Sequence, residues 1–486
     1  MRARVRRGLA PVCAALLLGL SQAAGCWHNP ASGRAELALL SEDDERRLGA
    51  EIDDQIRDAV GLYKDGGWDR RVAAMGARLA AVSERSYLKW RFRVLDDPTP
   101  NAFALPGGYV YVTRGLLAVL GSDDELASVI AHEIGHVTAR HSVNQLSKTH
   151  LARRGLGVFR IIDPRGRHVG GFAAGAVQLR LLHHSRADEL EADDLGARYV
   201  AKAGGRPQAM IDVLETLRRI GAREPTGQIP PHLSTHPDPE LRIVRQIERL
   251  RADQERGQWS GPPDADYVQR LDGMPYGADP QEGYLLAGQF VCPRTQLALQ
   301  FPADWEVEVM GGFASGSSPD EAALLLVGTG DHDSAKEAEA SFFAVDSFVR
   351  EGTWVEQIGG RPVRASRFSM RDRSAAFPGW AVFAQWGGGV HLAVGLAEDP
   401  EHPAVADLRA ALLTLGEPSP QQIQVEPSKL RVVTLSQSMT LRAFAEHHRA
   451  SVSLVDLMLL NRRGADVSMP TGTVLRTVVG FNPARQ

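Results

Sequence analysis

An α+β, multidomain fold is predicted by three observations along the chain. Residues 40–255 are mainly helical in pattern, with strand signals confined to Trp90–Leu95 and Tyr109–Thr113. Residues 285–418 carry strand-like runs around one helix, the pattern of an antiparallel sheet flanked by helix. Residues 428–480 read as strand, two short helices, strand, a small α/β segment. The chain has 486 residues, 43% of them hydrophobic, which is material for several cores. A stretch rich in Gly, Pro, Asp and Gln at 256–284 is expected to be a linker.

Residues 1–25 read as an export signal. Arg2, Arg4, Arg6 and Arg7 form a basic start, Val12–Leu20 a short apolar core, and Ala23-Ala24-Gly25 a small-residue exit before Cys26. The apolar run is too short to span a bilayer. Ala23-Ala24-Gly25-Cys26 resembles a bacterial lipobox, with Cys26 as the lipidated mature N-terminus, although Ala23 stands where Leu is usual. Trp27 in place of Asp points to the periplasmic face of the outer membrane if Cys26 is lipidated. Ordinary cleavage, leaving a soluble periplasmic protein, is the alternative.

In the helical segment, Trp90, Phe92 and Val94 alternate with Arg91 and Arg93, a half-buried strand pattern. Gly107-Gly108 permits a sharp entry into Tyr109–Thr113, which is rich in β-formers. This strand is either an edge that binds an extended peptide or a buried meander strand. Ser122-Asp123-Asp124-Glu125 reads as a capping box, with the acidic residues at the positive end of the helix dipole. Leu126, Val129, Ile130, Ile134 and Val137 then form an apolar stripe at helical spacing.

This helix carries His132-Glu133-Ile134-Gly135-His136. Positions four apart lie about 40° apart on one helix face and roughly 6 Å apart along the axis, so both imidazoles can reach one metal ion. Glu133, one step round, reaches a water at that metal rather than the metal itself. Zinc lowers the pKa of a bound water from about 16 towards about 7, and an adjacent carboxylate can take its proton. A hydrolytic zinc site also needs a third protein ligand. Ser185 is placed to cap a second helix that ends at Gly204-Gly205. Glu189, in its first turn, can project towards a neighbouring helix as the third ligand. Asp193, one turn later on the same face, can accept the spare N–H of a ligating imidazole. A solvated acidic helix face is the competing reading of both carboxylates.

Three segments together resemble one group of proteins: Asn101-Ala102-Phe103-Ala104-Leu105-Pro106-Gly107-Gly108, His132–His136, and Ser185-Arg186 through Glu189 to Ala192-Asp193. They are similar to the zinc metallopeptidases that include HtpX and the CAAX prenyl proteases, above all to their soluble periplasmic, BepA-like members. The resemblance implies a zincin-type domain over residues 40–255, one Zn2+ per chain, Glu133 as general base, and Glu189 rather than Glu191 as metal ligand. A fourth segment, Ser234–Arg242, also matches. There the resemblance implies His236 as a removable fourth ligand that holds the enzyme latent, and Arg242 as a residue near the site. Arg186, within the third segment, is a further candidate near the site. Asn101 either fixes its own segment or contacts substrate. His183 and His184 have no evident role.

The middle segment, 285–418, has strand-like runs at Leu297–Phe301, Ala323–Val327, Val363–Ser369 and Trp380–Trp386, and a helix expected at 334–351. It weakly resembles the PsbP-like α/β fold and shows no catalytic spacing, so an interaction role is expected. Residues 428–480 resemble a LysM module, which implies peptidoglycan attachment, although Ser438-Met439 replaces the usual Gly-Asp. Packing or protein contact is the alternative.

With a formal charge of −4 and no basic stripe, nucleic acid is not an expected partner. Three cysteines, Cys13, Cys26 and Cys292, leave no disulfide within the mature chain, and Cys292 reads as a small apolar core residue. The leading expectation is a zinc endopeptidase of the bacterial envelope that acts on misfolded or misassembled envelope proteins. An assembly factor that holds clients without cutting them, and a peptidoglycan peptidase, are the alternatives.

Overall fold

The computed structural model describes residues 26–29, 33, 35–37, 40–145, 184–222, 236–254, 266–372, 375–387 and 389–480. The predicted leader (1–25) and His183 lie outside them. The chain divides into two compact units. One comprises residues 1–272 with 432–442 and 454–476; the other comprises 273–431 with 443–453 and 477–486.

The first unit begins with a short antiparallel pair, β1 (Cys26–His28) and β2 (Ala35–Leu37). Helix α1 (Glu42–Ala59) starts on a Ser41–Asp44 capping box, and α2 (Gly66–Ala81) on the side chain of Asp65. Strands β3 (Arg91–Leu95), β4 (Ala102–Leu105) and β5 (Tyr109–Thr113) form a sheet in the order β3-β5-β4. β5 runs parallel to β3 and antiparallel to β4. The peptide-binding edge considered for Tyr109–Thr113 is therefore corrected: β5 is central and buried throughout, as its β-branched and aromatic run favours, and β3 and β4 are the edges. Gly107 and Gly108, at φ +84° and +97°, supply the turn that joins β4 to β5.

Helices α3 (Arg114–Val119), α4 (Asp123–Thr138), α5 (Arg186–Lys202), α6 (Ala209–Gly221) and α7 (Pro239–Gln254) complete the main body of this unit. Ser122 caps α4 by accepting the Glu125 N–H at 3.2 Å, but the Glu125 carboxylate accepts from Gly121 N at 3.0 Å instead of returning to Ser122 N. The expected capping box is thus half formed. Nor is α4 apolar on one stripe alone. Every residue from Glu125 to Thr138 is buried, because α2, β4, α5 and α6 all pack around it. Ser185 and Asp188 form a full capping box on α5, and Gly204 follows its end at φ +82°.

Both ends of α4 are anchored. At its C-terminal end, Arg85 donates to Val137 O at 3.0 Å and to Glu45 at 2.8 Å, and Arg140 donates to Glu45 at 2.9 Å. All three charged groups are buried, so each ion is compensated where water cannot do it. At its N-terminal end, Arg206 pairs with Asp124 at 2.7 Å, and Arg71 pairs with Asp123.

The second unit is built on a seven-stranded antiparallel sheet. Three short strands come first, β6 (Tyr284–Leu286), β7 (Gln289–Cys292) and β8 (Leu297–Gln300), forming their own sheet. Then come β9 (Glu306–Met310), β10 (Phe313–Ser317), β11 (Ala323–Gly330), helix α8 (Ala335–Phe342) and β12 (Phe348–Ile358). Strands β13 (Arg361–Asp372), β14 (Ala375–Trp386) and β15 (Gly389–Ala397) follow, giving the order β12-β13-β14-β15-β11-β10-β9. The helix expected at 334–351 is cut short. It stops at Phe342, and Phe348 onward pairs with β13, where Phe348, Val349, Thr353, Trp354 and Val355 favour a strand.

Alternation along β14 sorts two cores. Trp380, Val382, Ala384 and Trp386 pack with β7, β8 and helix α9 (Ala404–Leu412). Ala381 and Phe383 pack against α8 on the other face. Cys292 is buried in the first of these cores, as expected of a small apolar residue. A short helix, α10 (Pro420–Ile423), follows.

The C-terminal stretch has the expected order: β16 (Lys429–Thr434), β17 (Met439–Thr440), α11 (Leu441–His447), α12 (Leu454–Asn461), β18 (Ser468–Met469) and β19 (Val474–Val479). Its residues 432–442 and 454–476 belong to the first unit. There Arg462 donates to Glu125 at 2.8 Å, and Arg476 donates to Ala118 O and Leu120 O at 2.9 and 2.7 Å. From the stretch expected as linker, the buried Tyr267 donates to Leu117 O at 2.9 Å. These bonds hold the elbow between α3 and α4. Among the described residues, no helix is long and apolar enough to cross a membrane.

Candidate metal centre

His132 and His136 lie one turn apart on α4 and present their Nε2 atoms 3.0 Å from each other. Glu189, from the first turn of α5, faces both: its carboxylate oxygens lie 3.5 Å from His132 Nε2 and 3.3 Å from His136 Nε2. What lets α5 come so close is a pair of glycines. A Cβ on Gly196 would stand 2.9 Å from His132 N, and one on Gly135 would stand 3.0 Å from Ala192 O. The two helices therefore meet backbone to backbone, and the short Glu189 side chain spans the remaining gap.

A fourth donor comes from just before α7. His236 Nδ1 lies 3.4 Å from His132 Nε2 and 3.0 Å from Glu189 Oε1. One ligand atom from each of His132, His136, Glu189 and His236 can be chosen so that all lie within 4.8 Å of one another. Tetrahedral zinc with bonds of about 2.0–2.1 Å holds its donors roughly 3.3–3.4 Å apart. Five of the six donor pairs, at 3.0–3.5 Å, match that spacing. Three imidazoles and a carboxylate converge here, a donor set that suits one cation. A cation at the centre satisfies every one.

The surrounding side chains orient these donors. Asp193 Oδ1 accepts from His132 Nδ1 at 2.8 Å, which turns Nε2 to the centre. Arg242, on α7, donates to Asp193 at 2.7 and 2.8 Å and pairs with Glu189 at 2.9 Å. His136 Nδ1 lies 2.9 Å from His141 Nδ1, and His141 Nε2 in turn lies 3.5 Å from Glu191. His184 stacks on the His136 ring with centroids 3.9 Å apart.

Burial and Arg242 oppose a charged His132, but Asp193 and Glu189 outweigh both and lift its pKa to about 9. Burial, reinforced by His184, drives His136 well below the usual imidazole value. Burial works against an ionised Glu189, yet His236 and Arg242 hold it well below the ordinary carboxylate range. Burial pushes Glu133 up. Glu189 and Asp193 keep their buried negative charge, balanced by Arg242 and the raised His132.

Glu133 is buried and sits 3.5 Å from His236 Nε2. Asn101 lies on the wall of a cavity that Glu133 and His132 also line, and its side-chain oxygen is buried without a hydrogen-bond partner. Arg186 stands apart: it is 74% exposed and pairs with Asp238, two residues past His236. Cys26 begins β1, far along the chain from the cluster.

Residues 68–250 match the family described as Peptidase family M48. Over this segment the chain is similar to M48 metallopeptidases. The matched segment contains His132, Glu133, His136, Glu189, His236 and Arg242, so the sequence match and the donor cluster coincide. Mitochondrial metalloendopeptidase OMA1 of Schizosaccharomyces pombe is 33% identical over 224 residues, 45% of this chain and 64% of that protein. The beta-barrel assembly-enhancing protease of Yersinia pestis is 30% identical over 262 residues, 51% of this chain and 52% of that protein. The chain thus spans only part of the length of either relative. The solution structure of cyanobacterial PsbP from Synechocystis covers 29% of this chain and 98% of its own, at 11% identity and a TM-score of 0.23, too low to carry weight.

His141, His184 and the two glycines escaped the sequence reading. His141 follows His136 by five residues, a spacing with no ligand signature, and only the chain's turn through Arg140 at φ 56° brings it back. Gly135 lies inside the motif, and a glycine there could have signalled close helix approach.

Proposed function

We propose that this chain is a zinc-dependent endopeptidase of the bacterial cell envelope that cuts misfolded or misassembled envelope proteins. The observation that supports it best is Glu133 buried beside a four-donor cluster with a cavity next to both. The similarity to the beta-barrel assembly-enhancing protease of Yersinia pestis supports the choice of substrate class.

When bound, zinc supplies a Lewis acid that polarises the scissile carbonyl and acidifies water. His132, His136 and Glu189 hold it. Glu133 takes the proton of the attacking water and returns it to the leaving amine. Asp193 keeps His132 in the required tautomer, and Arg242 keeps Asp193 and Glu189 in place. His236 is a latency plug: its ring fills the fourth position and faces Glu133, so water and substrate enter only when it leaves.

The same proposal places the protein in the periplasm, anchored to the outer membrane through Cys26 or soluble there. It takes the 428–480 segment as a LysM-like module for peptidoglycan and the 285–418 segment as a PsbP-like interaction domain. Casein and purified peptidoglycan are the test substrates. Casein cleavage is expected to be lost in Glu133→Gln and raised severalfold in His236→Ala. Binding of casein without scission by either the native protein or His236→Ala would make it a holding factor; scission of wall peptides alone would make it a cell-wall peptidase.

A further inference from the structure

We infer that His141 is a positioning residue for the metal centre: it accepts the Nδ1–H of His136 and so fixes the tautomer and ring plane in which Nε2 faces the ion. The inference deepens the metallopeptidase reading and rests on it for the ion itself.

His136 presents Nε2 to His132 Nε2 at 3.0 Å and to Glu189 at 3.3 Å. A ligand needs its lone pair there, so the one proton of the neutral ring belongs on Nδ1. A ligating imidazole is held by whatever accepts that proton. For His132 the acceptor is the Asp193 carboxylate at 2.8 Å; for His136 the group in place is His141 Nδ1, 2.9 Å away. An imidazole accepts at Nδ1 only when its own proton sits on Nε2. The surroundings of His141 favour that form, because its Nε2 lies 3.5 Å from Glu191 and 3.8 Å from Asp188. Those distances are long for hydrogen bonds, but two carboxylates on that side still attract the proton. Glu191 is held in turn by Asn29 Nδ2 at 3.0 Å.

Two features set this contact apart from interior packing. The ring centres of His136 and His141 are 5.0 Å apart, close to the largest separation that a 2.9 Å contact between their nitrogens allows. The two Nδ1 atoms therefore lie almost on the line between the rings, end to end as a hydrogen bond requires. The backbone also carries a cost to bring His141 there. It turns at Arg140 with φ 56°, a region that non-glycine residues seldom enter. Arg140 is kept in that turn by Glu45 at 2.9 Å and by Leu40 O at 2.8 Å. His184 stacks on the face of the His136 ring, which leaves its rotation for His141 to fix.

The test is zinc affinity, by competition with a chelating dye, for the native chain and for His141→Leu, His141→Gln and His141→Asn. The absorption spectrum of the cobalt-loaded proteins is the second readout. Asn places its oxygen where Nδ1 stood and can accept; Gln places its oxygen nearer Nε2; Leu accepts nothing. Affinity is expected to fall roughly ten- to a hundredfold in His141→Leu and His141→Gln and to return near the native value in His141→Asn. The cobalt spectra are expected to follow the same order, whereas a merely structural role would follow the melting of the metal-free proteins. Glu191→Ala, at a side chain 25% exposed, covers the case in which the Leu and Gln variants fail to fold. It is expected to lower affinity severalfold in the native background and not in His141→Asn, which has no Nε2 to hold. Equal affinity across the His141 series, a loss in Asn as deep as in Leu, or an equal effect of Glu191→Ala in both backgrounds overturns the inference. Zinc bound by the native chain then leaves the metal reading standing. A native chain that binds no zinc removes both.

Discussion

Asp193 is fixed by two hydrogen bonds from Arg242, and its one task towards the centre is to hold His132 by Nδ1. Removing such a partner typically weakens metal binding ten- to a hundredfold. Asp193→Ala is expected to lower zinc affinity by that range, measured by competition with a chelating dye; unchanged affinity would show that His132 needs no orienting carboxylate. At this scale the sequence was most legible where one helix fixes the geometry. His132, Glu133 and His136 follow from a spacing of four, and Glu189 and Asp193 from their share of one face on α5. Arg186 was legible only by its place in a matched segment, and its position at the start of α5 leaves it in solvent. The contact of His136 with His141 needed the chain to reverse beyond the helix, which no periodicity encodes.

At the scale of elements, the crossing of α4 and α5 decides whether Glu189 reaches the imidazoles. A methyl group on Gly196 would press on the backbone of His132 at 2.9 Å, where no flexible side chain can yield. Gly196→Ala is therefore expected to cost about 1–3 kcal/mol of stability and to lower zinc affinity. Thermal unfolding with and without chelator separates the two effects; a variant with native melting and native affinity would show that the helices have slack. Element types were legible where pattern and caps agreed, as at Ser185 and Tyr109–Thr113. They failed where local pattern competes with pairing. Residues 343–351 were expected to extend α8, but from Phe348 onward β13 offers a ladder of partners. Ala102–Leu105 is short and weak in strand formers, and becomes a strand because β5 lies beside it.

On the scale of the whole molecule, the C-terminal stretch contributes residues 432–442 and 454–476 to the unit that carries the centre. Arg462 meets Glu125, which is only 5% exposed at its side chain, and Arg476 caps two carbonyls of the α3–α4 elbow. Arg462→Ala leaves a mostly buried carboxylate short of its partner. It is expected to destabilise the protein by about 2 kcal/mol, read as a lower denaturation midpoint at constant slope. An unchanged midpoint would show that the C-terminal residues are packed loosely. Nothing in the sequence pattern pairs residue 462 with residue 125, because contacts between distant segments leave no period behind. The bulk composition marked the chain as several cores, but not which segments share one.

Most directly, the zinc content of purified protein decides the matter, measured by elemental analysis for the native chain and for Glu189→Ala. One zinc per chain, lost or greatly weakened in the variant while the far-ultraviolet circular dichroism spectrum is kept, is the expected result. Native protein without zinc, or a variant that holds it undiminished, would contradict convergence of the two helices on one ion.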